Sequence, residues 1–169
     1  EYLYAGCYAV PGKVVRIDLT GWAISGATIT LPNGEESIYA LAVSESYLYA
    51  GCSTVPGPGK VIRIDIATGS VSGATITFAA GEDFVRSLAI SDGYLYAGCY
   101  TTPGKVIRID LTEWVISGAT ITLAAGENYV KGLAIYGGYL YAGVQTTPGK
   151  VVRIDLTAWA ISGATITFA

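Results

Sequence analysis

Residues 94–110 read YLYAGCYTTPGKVIRID, and close copies of this stretch occur three more times along the chain. The YLYAG string begins at Tyr2, Tyr47, Tyr94 and Tyr139, at intervals of 45, 47 and 45 residues. The longer interval arises from two additional residues within Val-Pro-Gly-Pro-Gly at 55–59, in a loop that tolerates insertion. Tandem copies of this length indicate a repeat architecture with units 1–33, 34–80, 81–125 and 126–169.

Each unit contains four short segments rich in β-branched and aromatic residues, separated by turn residues. In the third copy they are Ser87–Ser91, Tyr94–Cys99, Lys105–Leu111 and Ala119–Leu123. Asp92-Gly93 lies between the first two, and this dipeptide favours a tight hairpin because it accepts positive φ. No 3.6-residue periodicity is sustained, so the sequence predicts an all-β chain of antiparallel meanders.

Four-stranded meanders of about 45 residues in tandem are typical of β-propeller blades. A β-solenoid is the alternative, although its coils are usually shorter. The chain also resembles the YVTN-type and surface-layer propeller repeats. The resemblance rests on Tyr94-Leu95-Tyr96, on Val106-Ile107-Arg108-Ile109-Asp110 and on Thr120-Ile121-Thr122, with their copies in the other units. It implies a propeller and leaves the function open, because such blades serve many roles.

The register of the repeats predicts 15 strands, with the first blade lacking its inner strand. The sequence starts at the second strand of a blade, and it stops just after a fourth strand. An open blade exposes apolar faces and unpaired backbone groups that proteins normally cover. A small ring with one thin blade, a larger ring shared between chains, a strand from a neighbour and a longer parent array all remain open.

The most prominent repeated polar feature is the Arg-Ile-Asp triplet of the third strand. Period-2 alternation places both charges on one face, so we predict bidentate Arg–carboxylate pairs between blades. An anion or sugar pocket is the functional alternative. The residues are Arg16, Asp18, Arg63, Asp65, Arg108, Asp110, Arg153 and Asp155.

The acidic loop residues offer weak metal candidates, whereas the cysteines have no metal-binding spacing. Cys7, Cys52 and Cys99 occupy one position that is Val144 in the fourth unit, which favours inert, buried thiols over ligands or disulfides. A further loop position carries Glu35, Glu82 and Glu127. These carboxylates would form a girdle around the channel if their loops gathered at one mouth, and oxygen-rich loops suit Ca²⁺. The alternative is that each Glu accepts hydrogen bonds from its own loop, and we predict no metal and no cofactor.

Trp22, Trp114 and Trp159 are equivalent positions in the turn after the third strand, and Gly69 replaces them in the second unit. A row of indoles could contact a partner chain or a glycan, because aromatic rings stack on sugars and dominate interfaces. The alternative is that each indole fills the outer groove between two blades. The Tyr pairs of the second strand are assigned to packing within the propeller.

Composition narrows the function classes. Apolar residues make up 51% of the chain and charged residues 14%, the net charge is −3, and histidine is absent. The ten basic residues are spread through the repeats, which argues against nucleic-acid binding, and no apolar run is long enough for membrane insertion. A single active site needs residues that depart from the repeat, and we predict that the chain is not an enzyme. We expect a structural or self-assembling module, extracellular or on a cell surface, and a multivalent lectin-like module is the alternative.

Overall fold

The computed structural model describes residues 1–54 and 57–169, so part of the predicted insertion at 55–59 lies outside the described residues. All described elements are β-strands, grouped in four sheets that follow the repeats. Blade 1 holds β1 (Tyr2–Cys7), β2 (Lys13–Asp18), β3 (Ala23–Ile24) and β4 (Ile29–Thr30). Blade 2 holds β5 (Glu36–Val43), β6 (Tyr47–Ser53), β7 (Gly59–Asp65), β8 (Ser70–Val71) and β9 (Ile76–Thr77).

The remaining two blades repeat this order. Blade 3 holds β10 (Val85–Ser91), β11 (Tyr94–Cys99), β12 (Lys105–Asp110), β13 (Val115–Ile116) and β14 (Ile121–Thr122). Blade 4 holds β15 (Val130–Tyr136), β16 (Tyr139–Val144), β17 (Lys150–Asp155), β18 (Ala160–Ile161) and β19 (Ile166–Thr167). Consecutive strands pair antiparallel, as in β11 and β12, where Tyr94 lies opposite Asp110.

The outer strand of each blade differs from the prediction. The expected strand Ala119–Leu123 is shortened to β14, and β13 forms a second short piece before it, where a turn was expected; both pieces pair with β12. Gly118 lies between the pieces with φ of +78°, a left-handed conformation that interrupts the extended backbone. The same division occurs in every blade, so the described residues form 19 strands where the sequence predicted 15.

The solenoid alternative is wrong, because each repeat closes into its own sheet and strands of successive repeats do not join one ladder in the described chain. Instead, the inner strands β5, β10 and β15 pack side by side, and β1 of blade 1 packs against β5. Blade 1 has no strand of its own in the inner position among the described residues, as the register predicts. The chain is therefore an all-β run of four propeller blades.

The core lies between blades. One face of each blade packs against the next blade. This face carries the Tyr of the second strand and the first Val of the third strand. The next blade covers it with a face of Leu, Ala, Cys and Ile. Strand alternation separates the two faces, since neighbouring residues point to opposite sides of a sheet. We call the face with Tyr the leading face. The face with Cys, or with Val144 in blade 4, is called the trailing face.

Candidate functional site

The tryptophans lie in a turn that the preceding aspartate stabilises. In blade 3 a carboxylate oxygen of Asp110 accepts hydrogen bonds from the backbone N–H groups of Thr112 and Glu113, at 2.8 and 3.0 Å. Trp114 then adopts φ of +56°, which is unfavourable for a bulky side chain. Its contacts must therefore offset the cost of this backbone conformation.

Those contacts come from the preceding blade. The indole Nε1 of Trp114 donates a hydrogen bond of 2.6 Å to the Ala74 carbonyl. The Arg63 guanidinium lies 4.7 Å from the indole centroid, and the Tyr49 ring lies 5.8 Å from it. We call this set of Tyr, Arg and Ala on a leading face the indole socket.

The next junction repeats this geometry. Trp159 donates 2.7 Å to the Ala119 carbonyl, and it lies 4.7 Å from the Arg108 guanidinium and 5.7 Å from the Tyr96 ring. The interpretation that each indole fills the groove between two blades therefore describes Trp114 and Trp159. Each guanidinium lies within cation–π distance of two rings, this indole and a Tyr of its own second strand.

The predicted Arg–Asp pairs are wrong for all four triplets in the described chain. Each arginine Nε donates to the carbonyl of a serine in its own blade, as from Arg63 to Ser72 at 3.3 Å. The aspartate, at the end of its strand, accepts hydrogen bonds from its own turn instead. Hydrogen bonds from Thr68 lower the pKa of Asp65 below its usual value. Among the described residues an ion pair joins Lys60 and Glu35 instead, with 3.7 Å between Nζ and Oε1. The other aspartates, Asp18, Asp110 and Asp155, accept backbone hydrogen bonds in the same way, and Arg16, Arg108 and Arg153 donate to Ser25, Ser117 and Ser162.

The carboxylate girdle is also wrong. Glu35, Glu82 and Glu127 are buried, and no cluster of three or more metal-ligating side chains occurs in residues 1–54 and 57–169. One oxygen of Glu82 accepts from the Ala79 N–H, and the other accepts from the Thr120 hydroxyl of its own blade's outer segment. Glu127 accepts in the same way from Ala124 and Thr165. These carboxylates therefore tie the loop before an inner strand to neighbouring backbone and outer-strand groups.

The cysteines lie on the trailing faces. Cys52 and Cys99 are fully buried and free, and burial raises the pKa of the Cys52 thiol to about 12. Burial also raises the pKa of Cys99 well above its ordinary value. Cys7, on the uncovered trailing face of blade 1, is partly exposed. The two thiols are buried core groups, as predicted from the sequence.

Two places break the pattern of filled sockets. Between blades 1 and 2 the tryptophan position is Gly69, and a cavity of about 190 Å³ lies there against Arg16. On the leading face of blade 4 a larger cavity of about 360 Å³ is lined by Tyr141, Arg153 and Ala164, and none of the described residues fills it. Trp22, on the opposite end of the array, is 72% exposed.

A row of aromatic rings was not predicted from the sequence. It lies where the inner strands begin. Neighbouring rings lie 4.1–6.5 Å apart between centroids. The Arg86 guanidinium lies 3.9 Å from one of these rings, and the Lys131 ammonium lies 4.6 Å from another. We call this set the aromatic row: Tyr8, Tyr39, Phe84, Tyr100 and Tyr129. For Tyr39, Phe84 and Tyr129 the sequence signal was an aromatic residue two or four positions after the loop glutamate, which is weaker than the YLYAG string.

No protein family matches the sequence, and neither does any curated protein. Solved structures do match the fold. The WD40 repeats of RRP9 align with a TM-score of 0.75 and 13% identity over 99% of this chain and 47% of that one. The Cps50 (Swd1) β-propeller domain of Myceliophteria thermophila aligns with a TM-score of 0.71 and 21% identity, over 99% of this chain and 52% of that one.

A third structure is that of an enzyme. A europium-containing methanol dehydrogenase aligns with a TM-score of 0.59 and 15% identity, over 75% of this chain and 24% of that one. At these identities the likenesses show the fold alone: the chain is a β-propeller repeat protein. It spans about half the length of the RRP9 and Cps50 (Swd1) structures. The described residues contain no helix of the length and apolarity needed to cross a membrane.

Proposed function

We propose that the chain is a non-catalytic structural module that completes its propeller by self-association, the leading face of one copy against the trailing face of another. The observation that carries this proposal is an empty indole socket at one end of the array and an exposed tryptophan at the other. The WD40 propeller neighbours favour the coarser statement, a non-catalytic scaffold or interaction module.

The exposed apolar residues support the pairing. On the trailing face Leu3 is 46% exposed, whereas its equivalent Leu48 is 1% exposed against blade 1. On the leading face Phe168 is 54% exposed, whereas its equivalent Leu123 is 3% exposed against blade 4. Side chains that internal junctions bury are thus left in solvent at both ends. Covering them would contribute roughly 25 cal/mol for each Å² of apolar surface removed from water.

The geometry of the internal junctions defines the contact that a second copy would make. Trp22 has φ of +46°, close to the +48° of Trp159, so its turn already holds the conformation found in filled sockets. In the partner it would enter the socket of Tyr141, Arg153 and Ala164. The Arg153 guanidinium already lies 4.6 Å from the Tyr139 ring, and the indole would be its second cation–π partner, as in the filled sockets. Two copies paired at both ends would place eight blades in one ring.

The location and type of the module belong to the same proposal. The repeats resemble YVTN-type and surface-layer propellers, and the chain is low in charge and rich in Tyr, Thr and Gly. We therefore place it outside the cell or on a cell surface, as a homo-oligomer or polymer. Fractionation of the native source followed by immunoblotting would test this assignment, and recovery only from the cytosol would contradict it.

The pairing is tested by trans-complementation of two variants. Trp22→Ala removes the indole, and Arg153→Ala removes the group on which it stacks. Each variant alone should lower association at least about tenfold, because both junctions of a two-copy ring are altered. Mixing the two restores one intact junction, so sedimentation velocity should show mixed dimers that neither variant forms alone. Trp159→Ala, whose socket lies within the chain, controls for a general loss of stability.

A lectin-like module is the second candidate, and the aromatic row favours it. Partly exposed rings flanked by cations at the beginnings of the inner strands offer stacking surfaces for sugars. The earlier glycan candidates Trp114 and Trp159 already stack on arginine within the fold. A glycan array should separate the candidates. Binding that is lost in Tyr100→Ala and kept in Trp22→Ala would support the lectin function, whereas absence of any glycan binding would contradict it.

A further inference from the structure

The cavity between blades 1 and 2 lies where an indole would lie in the other junctions. Three of the four equivalent turns carry Trp, and only the second carries glycine, Gly69. Tyr4, Arg16 and Ala27 of blade 1 line the cavity, and they are the counterparts of Tyr49, Arg63 and Ala74 around Trp114. The socket is therefore built, but the chain does not fill it.

The opposite wall of the cavity is apolar. Leu48 and Ile64 are fully buried and contribute to the lining, and Ile29 closes one side. Gly69 keeps a left-handed φ of +67°, so the turn has the conformation of the tryptophan turns. A Cβ atom built at Gly69 would meet only Ile29 atoms, at an ordinary 3.8 Å. The first atom of a side chain at this turn would therefore meet no clash.

We propose that this cavity binds a planar aromatic ring of indole size that carries an N–H donor. A volume of about 190 Å³ exceeds the roughly 150 Å³ of an engineered apolar cavity that binds benzene. The Arg16 guanidinium lies 4.5 Å from the Tyr2 ring and lines the cavity, where the ligand would be its second cation–π partner. The Ala27 carbonyl is the acceptor equivalent to those that Trp114 and Trp159 use. This inference does not depend on self-association.

The ring could belong to a free small molecule or to a tryptophan side chain of a peptide, and both present the same chemistry. Isothermal titration with indole and with N-acetyltryptophanamide separates these sources. Tighter binding of indole indicates a free small molecule, and equal or tighter binding of the amide indicates a side chain. 1-Methylindole, which lacks the donor, should bind about fivefold more weakly because one hydrogen bond is lost.

Variants fix the location of the site. The open socket of blade 4 is first removed by Arg153→Ala. In this background the chain should bind one indole, Gly69→Trp should bind none, and Trp114→Gly should bind two, because it opens a second socket. Gly69→Trp supplies the residue found in the other turns, and far-UV circular dichroism verifies that it folds. In the unaltered chain, indole should shift the Ile29 methyl resonances and leave those of Ile116 unchanged. Non-saturable binding, or saturable binding that survives Gly69→Trp in the Arg153→Ala background, would overturn the proposal.

Discussion

Replacing Trp114 by glycine gives this junction the residue that the second repeat has naturally, and it measures what an indole contributes between two blades. Truncating a fully buried Trp costs about 3–5 kcal/mol, and this side chain is only partly buried, so loss of packing should cost about 2 kcal/mol. Loss of the stacking on Arg63 adds about 1 kcal/mol. Glycine relieves the left-handed conformation at φ of +56°, which offsets about 1 kcal/mol. We therefore expect a net loss of about 2 kcal/mol in the free energy of unfolding.

Trp22→Gly is the matched control, because the turn is the same and the indole contacts no preceding blade. Glycine relieves a similar backbone cost there and removes no socket contact. The variant should therefore be as stable as the unaltered chain or more stable by up to about 1 kcal/mol. This comparison has to be made at protein concentrations low enough to keep the chain monomeric, because association would stabilise the folded state by mass action.

The assay is urea unfolding followed by circular dichroism. With an m-value of roughly 2 kcal/mol per M, a loss of 2 kcal/mol lowers the midpoint by about 1 M urea. Trp159→Gly should give the same shift as Trp114→Gly. The two positions share the turn conformation, but only Trp114 lies in a socket. Equal urea midpoints for the Trp22 and Trp114 variants would therefore refute the reasoning.

Three further perturbations test the junctions, the thiols and the turns. Gly98→Ala should cost about 1–3 kcal/mol in urea unfolding, because its new methyl would lie 2.5 Å from an atom of the next inner strand; Gly143→Ala, whose methyl would lie at an ordinary 3.8 Å from the Gly132 carbonyl oxygen, should be near neutral. At pH 8, Cys7 should react with a thiol reagent while Cys99 reacts only on unfolding, and protection of Cys7 should rise with protein concentration; fast labelling of all thiols would contradict the assigned burial. The pKa of Asp65 is lower in the folded state than in the unfolded state, so its carboxylate should stabilise the fold fully above about pH 5. This stabilisation should disappear as the pH falls through the unfolded-state pKa of about 3.9 and then through the folded-state pKa. The difference in urea midpoint between the unaltered chain and Asp65→Ala should therefore shrink in acid, and a constant difference would contradict this assignment.

The repeat alone was sufficient to predict the blades. The YLYAG and RID strings have the alternation of strands, and Asp92-Gly93 marks a hairpin, so the three longer strands of a blade follow from local chemistry. The division of the outer strand was missed. It depends on left-handed glycines such as Gly118, and the sequence does not reveal which glycines adopt positive φ.

The site was harder to predict than the fold. Arg63 and Asp65 lie on one face of a strand, and from this spacing a direct ion pair was expected. The actual partner of the guanidinium is Trp114, which is distant in sequence and reaches it only through the packing of the next blade. A period-2 pattern reports which face a side chain lies on, but it does not report which neighbour covers that face. Likewise, Trp22 is exposed whereas Trp114 packs against a preceding blade. This difference depends on where a blade lies in the array, so a single repeat does not reveal it.

The mass of the unaltered chain in solution, measured by light scattering with electron microscopy of the same particles, tests the proposed assembly most directly. Pairing at both ends predicts particles of twice the 17.6 kDa chain mass, seen as closed rings, with dissociation on dilution and in Trp22→Ala. A mass of 17.6 kDa at every concentration, with the unaltered chain and Trp22→Ala alike, would contradict it.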